Sequence, residues 1–319
     1  MRVNRRAFLA SAAAATAAGA APRTDGPALI AITLDLEMSR HYPRWEDTHW
    51  DYEKGALDQA TKDYAVEAAR RVREAGGRVH FFCLGRTLEQ ADVGWLEGLV
   101  ADGHPIGNHT YDHVNIHARR LEDLQFRFQR APWLVEGKRP EDVIVENVRL
   151  TTRAMETRLR TRPVGFRTPG GFDLGLRERP DLQKLLLDQG FSWVSSVYPA
   201  HPSGKVDEAL LQAIVAAQVQ AQPFVYPSGL VEVPMSPVSD VTAMRAARWS
   251  LDEYLEALRR GVLWSIERGA VFDFLAHPSC LVVTDPDFRA ITTVLRLVRE
   301  AGPKATLSDM TGLAGRARV

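Results

Sequence analysis

Short apolar runs alternate along this chain with longer stretches in which apolar residues return at helical spacing. Leu29–Leu34 (LIAITL), Arg78–Leu84 (RVHFFCL), Val164–Arg167, Ser192–Val197, Leu230–Val233, Val271–Ala276 and Lys304–Leu307 read as strands. Helices are expected over Leu57–Ala75, ended by Gly76-Gly77, and near Leu88–Ala101, Pro140–Arg160, Asp181–Gln189, Val206–Ala217, Leu251–Arg268 and Asp285–Ala301. Strands this continuously apolar, alternating with helices, imply a parallel sheet covered by helices. The fold class is α/β. Seven or eight such units fit a single-domain distorted (β/α)7-8 barrel spanning residues 28–319. A doubly wound open sheet is the competing architecture, but no G-x-G-x-x-G follows the first strand, which weakens its nucleotide-binding form. In either fold the chemistry belongs at the C-terminal ends of the strands.

Composition narrows the function classes. Of 319 residues, 45% are hydrophobic and 25% charged, ordinary for a globular protein. Forty Lys+Arg balance forty Asp+Glu, so no global basic field exists to hold a nucleic acid or an anionic membrane. The first twenty residues read differently. Arg2, Arg5 and Arg6 precede the Ala-rich run Phe8–Ala18, and Ala18-Gly19-Ala20 offers small residues for a signal peptidase. Asn4–Leu9 (NRRAFL) resembles a twin-arginine export signal. Residues 1–20 are therefore expected to be a signal peptide, 21–27 a short linker, and the mature protein periplasmic or secreted. Removal of the signal would leave a charge of −3 and no stable membrane insertion, since no later stretch is long enough to span a bilayer. Cys83 and Cys280 are too few for a disulfide framework and, lying in or beside apolar runs, read as buried thiols; pairing in an oxidising compartment stays open.

Polar residues gather at strand ends. The first strand runs into Asp35-Leu36-Glu37, whose two carboxylates point to one side of extended chain. The stretch Gly103–His113 follows a Gly-bracketed apolar strand and carries His109 and His113, four apart. On a helical turn their rings would share a face, suiting one zinc-type ion with a carboxylate as third ligand; two surface histidines are the plainer alternative. Arg167, braced by Pro169 and two glycines, is a cation at a strand end that could orient a carboxylate or merely form a structural ion pair. Asp273, Leu275 and His277 share one face of the strand Val271–Ala276, where His277 could act as a general acid or sit as a core histidine. The segment Met38–Gly55 follows Asp35 directly and clusters aromatics, Trp45 and Trp50 among them, which could stack on sugar rings or pack as a loop. No G-x-S-x-G elbow suggests a serine hydrolase.

Taken together, G-H-P-I-G-N-H-T-Y-D-H at Gly103–His113, R-T-P at Arg167–Pro169, L-A-H at Leu275–His277 and R-V-H-F-F-C-L-G at Arg78–Gly85 resemble the NodB-homology polysaccharide deacetylases over residues 28–310. That family's fold is a distorted (β/α) barrel, and its members are metal-dependent hydrolases that remove acetyl groups from sugars. The resemblance implies His109 and His113 as metal ligands, Asp35 as general base, Arg167 orienting Asp35, His277 as general acid, Leu275 lining the acetyl pocket and a backbone N–H near Tyr111 stabilising the oxyanion. It also implies a divalent cation, zinc first, with cobalt, nickel or iron fitting the same donors. The chain departs from the common pattern: Leu36 stands where a second acid is usual, which makes Glu37 the expected third ligand. The usual acid of the fourth motif is missing, with Trp193–Ser196 in that region, and Asp273 is expected to replace it by pairing with Arg167 or His277. These departures resemble a divergent branch containing peptidoglycan deacetylase-like and allantoinase-like proteins. A secreted carbohydrate deacetylase, an allantoinase-like cyclic amide hydrolase and an inactive carbohydrate-binding barrel are the three functions that follow.

Overall fold

The computed structural model describes residues 26–39 and 54–317. The expected export segment, most of the linker, and Trp45 and Trp50 lie outside the described residues. The strands are β1 (Ala28–Leu36), β2 (Val79–Cys83), β3 (Ile106–Asn108), β4 (Phe166–Phe172), β5 (Trp193–Val197), β6 (Phe224–Val225), β7 (Val231–Glu232), β8 (Val271–Ala276) and β9 (Ala305–Ser308). They form one sheet in the order β6-β7-β5-β4-β3-β2-β1-β8, with β9 also pairing β1. Every pairing is parallel except β6 with β7. Among the described residues, ten α-helices surround or plug the sheet: α1 (Gln59–Glu74), α2 (Gly94–Ala101), α3 (Phe126–Arg130), α4 (Pro140–Arg158), α5 (Pro180–Asp188), α6 (Glu208–Ala217), α7 (Leu251–Arg268), α8 (Pro278–Thr284), α9 (Arg289–Ala301) and α10 (Met310–Ala314). This is the expected distorted barrel.

β1 is its centre. β8 lies along one edge of it; the other edge is shared in sequence by β9, at Ala28–Ala31, and β2, at Ile32–Leu36. Alternation sends Ile30, Ile32, Leu34 and Leu36 outward into the main core with α1, α7 and α9. Ala31 faces inward to Phe82, Trp193, Val271, Met310 and Leu313, an apolar plug that closes one end of the barrel. Thr33 and Asp35 continue that inner face toward the other end.

The barrel does not close through a strand ladder. Among the described residues no strand pairs with the other edge of β8; side chains take its backbone groups instead. Val271 N donates to Gln222 Oε1 (3.0 Å), Asp273 N to Ser236 Oγ (3.0 Å) and His277 N to Asp240 Oδ2 (2.8 Å). Side chains thus satisfy an edge that would otherwise hold buried, unpaired amides.

The elements absent from the sequence reading are short. β6 has two residues, and α3, α8 and α10 have five to seven, too few to show a period. Two helix starts also move. Residues Gly85–Glu89 form a 3₁₀ turn, and α2 begins only where Asp92 accepts from Gly94 N (2.8 Å). Asp285 caps the amides of Arg289 and Ala290 (2.8 Å each), which sets the start of α9. Both cysteines are free and buried, and burial pushes the Cys83 thiol up to about 12. No helix among the described residues is long and apolar enough to cross a membrane.

Candidate active site

At the C-terminal ends of β1, β4 and β8, and of the loop after β3, a cavity of about 300 Å³ opens; Asp35, Glu37, His109, His113, Leu275 and His277 all line it. β1 delivers the two acids. Its ladder ends at Leu36, and Glu37 N turns back to Asp35 O (3.0 Å), so the chain bends sharply and both carboxylates face the cavity while staying buried.

The two histidines arrive otherwise than expected. Residues 109–113 form a loop, not a helical turn. Thr110 (φ 62°) and His113 (φ 60°) both adopt the left-handed conformation, which non-glycine residues rarely take. The loop is pinned by Thr110 N to Asn108 Oδ1 (2.9 Å), Gly85 N to Thr110 O (3.0 Å) and Asp112 N to Asn147 Oδ1 (2.9 Å). The four-residue spacing still brings the rings together, with centroids 5.1 Å apart. His109 donates Nδ1–H to the carbonyl of Arg167 (2.9 Å), which leaves Nε2 as a lone pair aimed into the cavity. Burial pushes His113 down to about 4, so its imidazole is neutral at pH 7.

Glu37 Oε2 lies 2.6 Å from His113 Nε2 and 3.5 Å from His109 Nε2. One carboxylate oxygen and two imidazole nitrogens within 4.8 Å of one another make the donor set of a zinc-type site. A buried carboxylate oxygen within 3.5 Å of both imidazole Nε2 atoms fits a cation.

A layer of charge supports these groups from below. Arg167 is fully buried and lies over the Phe82 ring at 4.1 Å. It donates to Asp35 Oδ1 (2.9 Å), Thr33 Oγ1 (2.8 Å) and Asp273 Oδ2. Thr33 in turn donates to Asp273 Oδ1 (2.7 Å). Asp273 therefore pairs with Arg167, one of the two partners expected for it, and not with His277. That place belongs to Asp240, which accepts from His277 Nδ1 (2.9 Å) and from its backbone N–H. Burial works against protonation of His277, but the Asp240 carboxylate outweighs it and raises the imidazole above its ordinary value.

One expected residue falls elsewhere. Tyr111 does not line the cavity: its hydroxyl donates to Glu89 (2.6 Å) and its ring packs over Gly85, leaving only its backbone amide as a candidate for the oxyanion. Trp45 and Trp50 lie outside the described residues. Conversely, Lys54 and Asp240 escaped the sequence reading. Lys54 Nζ sits 2.6 Å from Glu37 Oε1 and 3.1 Å from Ser39 Oγ. Neither residue lies in a recognisable motif.

Residues 54–179 match the family model described as Polysaccharide deacetylase. The match includes His109, His113 and Arg167 and stops short of Asp35, Glu37 and His277. No curated protein matches the chain. Among solved structures, one described as a polysaccharide deacetylase from Mycobacterium smegmatis aligns with a TM-score of 0.62 at 18% identity, covering 93% of each chain. One so described from Pseudomonas aeruginosa PAO1 aligns with a TM-score of 0.60 at 14% identity, covering 92% of this chain and 91% of that one. Puue allantoinase aligns with a TM-score of 0.59 at 12% identity, covering 91% and 90%. At these identities the likeness is one of fold.

Proposed function

We propose, from the match of residues 54–179 to the family model described as Polysaccharide deacetylase, that the chain is a metal-dependent hydrolase that removes acetyl groups from an amino sugar polymer or oligosaccharide. The observation that carries the reading is the convergence of Glu37, His109 and His113 between Asp35 and His277. Zinc is the first choice for this donor set. A divalent cation held by those three side chains would supply Lewis-acid polarisation of the acetyl carbonyl and of water.

The chain's own groups then divide the proton work. Arg167 fixes Asp35 Oδ1, so Oδ2 is left facing the cavity, 3.9 Å from His109 Nε2 and 4.0 Å from His277 Nε2. Asp35 Oδ2 takes a proton from water as its oxygen adds to the acetyl carbon. His277, oriented by Asp240 through Nδ1, presents Nε2–H to the sugar nitrogen. Transfer of that proton lets the C–N bond break, releasing acetate and a free amine. Leu275 gives the acetyl methyl an apolar wall. Export through the twin-arginine-type segment would bring the enzyme to a glycan outside the inner membrane, and cell fractionation of tagged protein tests this.

The deciding experiment pairs metal analysis with turnover. Wild-type protein should carry about one equivalent of divalent metal and release acetate from N-acetylglucosamine oligomers, and His109→Ala should lose both. Unchanged metal content in that variant would refute the site. Ring opening of a hydantoin-like substrate without acetate release would transfer the chain to the cyclic amide hydrolases. Oligomer binding without turnover in metal-replete protein would make it a binding barrel.

A further inference from the structure

Glu37 reaches the histidine pair from a piece of chain that has left the sheet. The ladder of β1 ends at Leu34 with β8 and at Leu36 with β2. Glu37, Met38 and Ser39 follow, and groups from elsewhere hold their main chain. Met38 N donates to Lys54 O (2.9 Å), Ser39 N donates to Ser279 Oγ (2.9 Å), and Ser39 O accepts from Arg245. Ser279 Oγ in turn donates to Glu37 O (2.7 Å). One fully buried hydroxyl therefore bridges the carbonyl of Glu37 and the amide of Ser39, donating to one and accepting from the other.

The second serine acts on the side chain. Ser39 Oγ accepts from Lys54 Nζ (3.1 Å) and donates to Glu37 Oε1. The other oxygen, Oε2, is left on the side of the rings, 2.6 Å from His113 Nε2. A glutamate has one more rotatable bond than an aspartate, so it has more poses to lose on becoming a ligand. With its main chain and its far oxygen both held by hydroxyls, much of that freedom is already gone.

The same contacts tie the acid-bearing strand end to the bend that carries Glu37. Ser279 lies in α8, where Cys280 N and Leu281 N both donate to His277 O (2.9 Å each). Arg245 follows Asp240, the partner of His277, in the same turn of chain. Glu37 Oε1 consequently lies 3.7 Å from His277 Nε2.

We propose that Ser279 and Ser39 are positioning residues for the metal site: Ser279 holds the main chain of Glu37, Ser39 holds Oε1, and Oε2 is left to face the two imidazoles. This rests on the metal-dependent reading and adds to it the two groups that let a glutamate serve as the third ligand. The bond from Ser279 goes to the Glu37 carbonyl, so its loss reaches the metal through the position of the chain.

The test titrates the metal-free full chain with zinc against a chromophoric chelator, at a temperature where circular dichroism shows the proteins folded. Ser279→Ala and Ser39→Ala should each weaken zinc binding by about tenfold or more, the scale of losing a group that orients a ligand. Ser279→Thr and Ser39→Thr keep the hydroxyl and should lie between the alanine variants and the wild type. Ser39 lines the cavity, so its variants decide the matter should Ser279→Ala fail to fold. A lower melting temperature with wild-type zinc affinity marks a merely structural serine and overturns the role of that residue. Threonine variants as weak as the alanine ones overturn the role of the hydroxyl. If the wild type binds no zinc, the metal-dependent reading fails and takes the positioning role with it. If His109→Ala loses zinc while both alanine variants keep it, the positioning role alone falls.

Discussion

Lys54 Nζ rests 2.6 Å from Glu37 Oε1, with both side chains buried, so the carboxylate that faces His109 and His113 with one oxygen is bound by an ammonium through the other. Burial pushes Glu37 up, but His113 and Lys54 outweigh it and hold the acid well below the usual carboxylate range. Burial lowers Lys54, with Glu37 opposing. Under the proposed metal reading, the ammonium would neutralise Glu37 when no cation is bound and repel one that enters. Lys54→Met should therefore destabilise the metal-free protein by about 3–5 kcal/mol, the scale of a buried charge left alone. It should also bind zinc at least about tenfold more tightly, a gain of ~1.4 kcal/mol. Thermal melts with zinc and with chelator check both: the zinc-induced rise in Tm should be larger in the variant. A smaller rise would refute the electrostatic role.

The His277–Asp240 pair predicts a pH profile. The folded imidazole is raised above its unfolded value. Its contribution to stability is thus complete below about 6.5 and is lost as pH rises through the folded value. The same proton is the one proposed for the leaving nitrogen, so kcat/KM should fall over that alkaline range. Asp240→Asn removes the strongest opposition to burial and leaves only the weaker pull of Glu37 and Asp35, which moves the alkaline limb to lower pH. An unmoved limb would show that Asp240 does not govern the acid.

Asp273 separates from Asp240 in the same measurement. It is bonded to Arg167 and Thr33, not to His277. Asp273→Asn should leave the alkaline limb in place, since the imidazole keeps its own partner. Arg167→Met is more severe, because it strands Asp35 and Asp273 without their cation in the barrel interior. A loss of about 3–5 kcal/mol is expected in denaturant unfolding, together with loss of turnover. A stability change below about 1 kcal/mol would mean the two acids do not depend on it.

Gly85 links β2 to the histidine loop. A Cβ there would meet the Tyr111 ring at 2.1 Å and Thr151 Oγ1 at 2.8 Å. Gly85→Ala should cost about 1–3 kcal/mol by overpacking and, by displacing residues 110–113, weaken zinc binding. Wild-type metal affinity in a variant of reduced stability would show that the loop adjusts independently.

Periodicity sufficed for the strands that build the barrel, because β1, β2 and β8 bury both faces and read as continuous apolar runs. Helix α7 was legible to the residue, since Ser250 and Glu253 form a capping box at one end and Gly269 closes the other at φ 63°. The strand-end carboxylates, the histidine spacing, Arg167 and His277 were legible as candidates. The conformation that unites the histidines was not: a four-residue spacing suits a helical turn, but Thr110 and His113 take left-handed dihedrals whose support comes from Gly85, Asn108 and Asn147.

By itself the sequence determined the alternation of buried strands and amphipathic helices and the polar residues stationed at strand ends, because burial and period are local properties of neighbouring side chains. Only the tertiary structure decided the partners: Asp240 for His277 across 37 residues, Asp273 for Arg167 across 106, and Lys54 for Glu37 across 17. A buried charge takes whichever counter-charge the packed chain brings within a few ångströms, and that choice leaves no periodic trace in the residues between.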